Sequence, residues 1–225
     1  MRSLIFITVL IALNTYSHAQ TLVYKNYIGK NICTNTYRIE TVGIGYIVTF
    51  ISQMKNNEER YMEIAADSSF FTLSWIFINK KKEISIFANR RGDIIFLSGL
   101  FNGKQVHKQY YVGREPWNQF IPLAFEKYVI WPDRKPLMFW AIGIEKPGAL
   151  QIGRFYIKSI TEDVITVNYE KVKTFKITIT FDDWKSQFWK GHYWHRYSDG
   201  RYLRFKGKSK ISTPIVTEFM REGTD

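Results

Sequence analysis

Alternation of apolar and polar side chains constrains this chain more than any other feature. Phe175, Ile177, Ile179 and Phe181 alternate with Lys176, Thr178 and Thr180. Successive side chains of a strand point to opposite faces, so such a run has one buried and one wet face. Antiparallel sheets are the kind that leave one face in water. Phe71, Leu73, Trp75 and Phe77 alternate with Thr72, Ser74 and Ile76 in the same sense. Further strand-like runs cover 36–42, 44–52, 59–65, 83–88 and 94–101. The second half adds 104–112, 137–142, 152–160, 193–197, 202–205 and 215–220.

Turn residues separate these runs. Asn102-Gly103 and Asp199-Gly200 are each flanked by strand residues and read as two-residue hairpins with positive φ at both positions. Asn56-Asn57, Asn79-Lys80, Gly92-Asp93 and Glu162-Asp163 supply weaker turn signals. One segment has helical spacing instead: Trp117, Phe120, Ile121, Ala124 and Tyr128, with Asn118 placed to cap its N-terminus. The fold expected is mainly β: a single antiparallel, strongly curved sheet, a half-barrel, with one covering helix near 118–129. A closed barrel with the helix outside is the alternative.

The N-terminus has a different character. Arg2 precedes an apolar run at 4–13, and Ser17-His18-Ala19 supplies a small-x-small site. This is the layout of a secretory signal peptide over residues 1–19, and ten apolar residues are too few to span a bilayer. Residues 20–225 then form one domain of 206 residues. Arg2 is the only charge removed, so the net charge falls from +12 to +11. A basic excess in an exported protein points to anionic partners such as a membrane surface, and away from nucleic acid. The single cysteine, Cys33, rules out a disulfide framework within the chain; strand residues flank it, so burial is expected.

Catalytic and cofactor signatures are missing. Gly43-x-Gly45 lacks a third glycine and leads into a strand, and no nucleophile elbow or phosphate-cradling loop occurs. His192 and His195 are three apart on an expected strand, so they face opposite sides and cannot share a metal. Asp182-Asp183 sits at a strand end, where adjacent carboxylates cap or turn the chain more often than they form an acid–base pair. Lys80-Lys81-Lys82 reads as a solvated hairpin tip, and Arg91-Gly92-Asp93 as a turn. The expectation is a protein that is not an enzyme and takes no cofactor.

Aromatic residues make up 17% of the chain, with 7 Trp, 14 Tyr and 17 Phe. Filling a core accounts for many of them, since each ring buries about 150–250 Å². An apolar groove between a curved sheet and its helix would use the same rings to hold an acyl chain. Alternation and position nominate Phe71, Trp75, Phe77, Trp117, Trp140, Phe175 and Phe181 as ligand-binding candidates.

Several motifs of the second half occur in a familiar order. Pro116-Trp117 with Phe120, then Phe139-Trp140 and Phe188-Trp189, precede Tyr193-Trp194-x-Arg196-x-Ser198-Asp199-Gly200. Leu203-x-Phe205 and Thr213-Pro214 follow. Together they resemble an uncharacterised family of exported bacterial proteins carrying a domain of unknown function, with a lipoprotein-carrier-like half-barrel. The hairpin with Trp194, Arg196, Ser198, Asp199 and Gly200 is the most specific part. Family members tend to have an acidic residue at the position of His192 and an aromatic at that of His195. The resemblance implies a half-barrel with helical cover in the envelope of a bacterium with an outer membrane, and it supplies no activity. The function expected is non-enzymatic: binding a lipid, a lipoprotein acyl chain or another amphipathic molecule in an aromatic-lined concavity of a periplasmic protein. The alternative is a structural or interaction module of the envelope with a solid core.

Overall fold

The computed structural model describes residues 19–54, 58–131, 136–146, 149–208 and 214–224. The expected signal peptide, apart from Ala19, lies outside the described residues, as do the Asn56-Asn57 turn and Thr213. The described residues form fourteen strands. The first eight are β1 (Ala19–Ile28), β2 (Asn31–Val42), β3 (Gly45–Met54), β4 (Glu59–Ala66), β5 (Thr72–Asn79), β6 (Ile84–Arg91), β7 (Ile94–Phe101) and β8 (Lys104–Tyr111). A helix, α1 (Ile121–Ile130), precedes β9 (Met138–Lys146), β10 (Ala149–Val167), β11 (Glu170–Phe181), β12 (Lys190–Arg196), β13 (Tyr202–Lys208) and β14 (Pro214–Thr224). No described helix is long and apolar enough to cross a membrane.

All fourteen strands belong to one antiparallel sheet in the order β8 to β1, then β14 back to β9. Two meanders are thus zipped together where β1 pairs with β14, Gln20 opposite Thr224 and Ile28 opposite Ile215. The free edges are β8 and β9, consecutive in sequence but at opposite ends of the sheet. The connection between them has to traverse the sheet, and a right-handed twist over so many strands curls that sheet around it. Accordingly α1 sits in the concavity as the expected cover, burying Leu123, Ala124, Phe125 and Val129. Phe125 is fully enclosed, with ring centroids 5.9 Å from Phe139, 5.6 Å from Tyr193 and 6.2 Å from His195.

The sheet is a half-barrel, not closed into a barrel: no described ladder joins β8 to β9. Side chains and one short segment manage the two edges instead. Along β9, Trp140 N–H donates to the Pro116 carbonyl (2.9 Å) and Asn118 N–H to the Trp140 carbonyl (2.8 Å). The Gln119 side-chain amide then brackets Ile142, accepting from its N–H (3.0 Å) and donating to its carbonyl (2.8 Å). From β8, Lys108 Nζ and Tyr110 Oη reach the Leu150 carbonyl at 2.8 and 3.3 Å. The four bonds along β9 satisfy backbone groups that an open edge would leave free, and the two to Leu150 fasten β8 to β10.

Three local expectations are corrected. The helix begins at Ile121, later than 118, and Asn118 does not cap it: residues 116–118 run along β9, so the helix starts after them and Phe120 takes the cap position without a side-chain bond. Pro122 sits in the first turn, where no intrahelical partner is lost. Glu162-Asp163 is no turn but the interior of β10; the chain reverses at Asn168-Tyr169, where φ is +48° and +70°. Asn102-Gly103 has the expected two positive φ values, whereas at Asp199-Gly200 only Gly200 does. That connection is longer, with Arg196 N–H bonded to the Arg201 carbonyl and Gly200 N–H to the Arg196 carbonyl.

Candidate functional site

A cavity of about 280 Å³ is lined from β1 to β5 on one side and by Gln119 and Ile142 on the other. Its apolar lining is Ile28, Phe50, Met62, Trp75, Phe77 and Ile142; its polar lining is Asn26, Asn35, Ser52, Arg60 and Gln119. The rings are placed by alternation on adjacent strands. Trp75 pairs with Ile64 on β4 and with Ala88 on β6, two residues that stay small or aliphatic, and it stacks on Phe77 at 5.8 Å.

The polar side is held by its own bonds. Thr217 Oγ1 donates to Asn26 Oδ1 at 3.1 Å. Arg60 donates through Nε and Nη2 to Glu58 Oε1 at 3.2 and 3.1 Å, and the same oxygen accepts from Asn79 Nδ2 at 2.8 Å. Burial pushes the Glu58 carboxyl up, but the Asn79 amide, Arg60 and Lys82 outweigh it and hold the group below the usual range. Glu58 thereby neutralises Arg60, and the polar lining presents mostly amides and a hydroxyl.

The sequence-nominated residues are distributed. Trp75 and Phe77 line the cavity. Phe71 precedes β5 and packs against the core, because a bulge opposite Ala65 and Ala66 shifts the phase: Thr72 is buried and Leu73 is about half exposed. The alternation that grouped Phe71 and Leu73 with Trp75 therefore breaks at this point. Trp117 is fully buried and pairs with Trp140, over whose ring the Arg154 guanidinium lies at 5.9 Å. Phe175 is buried on β11 and stacks on Tyr197 at 4.5 Å. Phe181 packs on Phe155 at 4.4 Å and on Trp189 at 5.2 Å. It lines a separate open cleft of about 460 Å³ with Leu137, Met138, Tyr156 and Ile157.

Asn26, Asn35, Ser52, Arg60 and Gln119 were not nominated by the sequence. A polar residue at an inward phase of a strand is the one signal that could have found the first four.

The motif hairpin between β12 and β13 docks the helix. Gly200, with φ +75°, lies against the α1 backbone at Glu126. His195 is fully buried, with Nδ1 2.8 Å from the Gly200 carbonyl, and burial pulls it down to about 4, so it is neutral and donates through Nδ1–H. Asp199 Oδ1 accepts from Arg196 Nε (2.9 Å) and from Arg201 N–H (3.1 Å). Trp194 Nε1 donates to Asp163 Oδ2 at 2.9 Å, which lowers that carboxyl below its usual range. Ser198 is exposed. Histidines 192 and 195 do point apart: His192 Nδ1 lies 3.1 Å from Thr178 Oγ1 on the other face. Asp183 caps a 3-10 turn through Lys185 N–H, and Asp182 pairs with Arg154 at 2.8 Å. Cys33 is buried in β2. Among the described residues no His, Cys, Asp and Glu side chains group to hold a metal.

No family model matches the chain, and no curated protein matches it. Among solved structures it is similar to a beta-barrel-like protein of a domain of unknown function from Brucella abortus. The likeness covers 92% of this chain and 98% of that one, with a TM-score of 0.56 and 9% identity. A LolA superfamily protein from Nitrosomonas europaea aligns over 93% of this chain and 86% of its own at 8% identity, with a TM-score of 0.27, too low to speak for a shared fold. The first likeness shows the fold. This is an open, barrel-like antiparallel sheet with an internal helix, of a kind already seen in an uncharacterised bacterial domain.

Proposed function

We propose that the protein is an exported, non-enzymatic envelope component that holds an apolar or amphipathic molecule in the cavity under β1–β5. The carrying observation is the composition of that cavity: Phe50, Met62, Trp75, Phe77 and Ile142 face three amides, a hydroxyl and Arg60 across one open-sided space. Acyl carbons would lie against the rings, and the polar end against Asn26, Asn35, Ser52 and the Arg60 guanidinium. The N-terminal sequence supports export, and the basic surface supports residence beside an anionic membrane.

Straight-chain fatty acids from octanoate to tetradecanoate, added below their critical micelle concentrations, are expected to shift tryptophan emission saturably. Each methylene buried contributes about 0.8 kcal/mol, so affinity should rise about fourfold per carbon until the cavity is full. Trp75→Asp places a charge in the cavity and should abolish the response in a variant that still unfolds cooperatively. A second reading, an interaction module with a solid core, draws on the filled space beneath α1, where Phe125 is enclosed on every side. A flat titration of folded, delipidated protein would select it.

A further inference from the structure

The outer face of β6–β8 carries a groove that shares no lining residue with the cavity. Pairing aligns Phe87, Ser98 and His107 in one row across the three strands, and Asn89, Phe96 and Gln109 in the next. Arg91, one step further along β6, lies over the Phe96 ring at 5.7 Å. These side chains line a groove of about 390 Å³ on the side of the sheet away from α1. The alternation of burial confirms the outward phase: Ile86, Ala88, Ile95 and Leu97 between them are buried, while Phe87 stays 45% exposed.

We infer that this groove binds an acidic oligosaccharide. The groove's two rings are interleaved with amides, a hydroxyl, an imidazole and a cation, so an acyl chain laid in it would meet polar side chains along most of its length. A pyranose ring suits it better, having an apolar C–H face and a rim of hydroxyls. Phe87, 45% exposed, offers a flat apolar platform for one sugar ring, and its diagonal neighbour Phe96 carries the Arg91 guanidinium that would meet the acid. Asn89, Ser98, His107 and Gln109 surround them with donors and acceptors for hydroxyls. The charge favours an acid. Arg91 is a cation at the groove, and the described lining residues include no carboxylate. Lys108 lines the groove only along the chain, since its ammonium is turned to the Leu150 carbonyl at 2.8 Å. The guanidinium can pair with a uronate carboxylate while remaining over Phe96.

The test is isothermal titration calorimetry of the full protein with tetragalacturonate, with maltotetraose and with a short oligothymidylate. Tetragalacturonate is expected to bind saturably, and more tightly than the other two. Phe87→Ser should weaken it about tenfold by removing a stacking platform. Arg91→Gln should weaken the acidic sugar about as much, leave the neutral one unchanged and remove the salt dependence. Both side chains point outward, and unchanged thermal unfolding would verify that the variants fold. The inference is overturned by a flat tetragalacturonate titration, by binding that neither variant alters, or by tighter binding of the oligothymidylate. Equal affinity for maltotetraose and the acid, with no effect of Arg91→Gln, overturns the acidic class. Loading the protein with fatty acid should leave every sugar titration as it was, so this site can fail without touching the cavity.

Discussion

Gly200→Ala should lower the free energy of unfolding by about 3 kcal/mol or more, measured by urea titration. Two costs combine. Gly200 sits at φ +75°, where an L side chain is strained. A Cβ there would also overlap the Glu126 carbonyl oxygen, a main-chain atom of α1 that no rotamer change can move. Relief requires the helix to lift from β12 and β13. That would loosen Phe125 from its enclosure, and the Tyr202 N–H bond to Glu126 Oε1 (2.9 Å) with it. Gly92→Ala is the control. It has φ +57°, but nothing lies within 4 Å of the added carbon, so it should cost only the backbone strain of about 1 kcal/mol. Equal losses in the two variants would refute the docking role of the hairpin.

Glu126→Gln should stabilise the protein at pH 8 by about 3 kcal/mol, and the gain should vanish below pH about 4.5. Burial, against the partial relief of Tyr202 N–H and Arg201, raises the Glu126 carboxyl from its ordinary 4.5 to about 7. Asp199 and Glu222 push it the same way. The folded state then holds this proton more tightly than the unfolded chain. Stability contributed by Glu126 is therefore present at low pH and lost as pH rises from about 4.5 to 7. His195 has the opposite sign: burial lowers it from 6.5 to about 4, so its contribution is lost as pH falls through that range. Between about pH 4.5 and 6.5 the two slopes oppose, and the unmodified protein should be nearly level. Glu126→Gln removes one slope and should expose the acid loss due to His195. Equal stability of variant and parent at pH 8 would show that Glu126 is not held buried as an ionised group.

Most strands were legible because the sheet keeps one wet face, which writes burial into the sequence with a period of two. On β11 the inward Phe175, Ile177 and Ile179 are buried as read. Thr178 and Thr180, on the face expected to be wet, are buried as well, Thr180 donating to the Trp189 carbonyl at 2.7 Å. The long β10 was cut short at Glu162-Asp163, because two acidic residues look like a turn unless their partners are known. Asp163 is in fact bonded to Trp194, 31 residues away in sequence. The C-terminal hairpin motif was visible, but the surface it serves was not, since its glycine is required by a helix 74 residues earlier.

The candidate site divides in the same way. Trp75 and Phe77 could be assigned to the inner face from their spacing on β5. Phe71 could not be separated from them, since the bulge that moves it arises in the pairing of β4 with β5. Asn118 shows the same limit: its side chain suits a helix cap, yet its segment pairs with Trp140 of β9 and the helix starts only at Ile121. By itself the sequence determined the antiparallel strands, their inward faces and the presence of one helix, because these depend on local periodicity. Tertiary structure alone decided which inward residues the helix covers and which it leaves around a cavity. That choice follows from β8 and β9 lying at opposite edges of one sheet, so that the chain between them must cross the concave face and fill part of it.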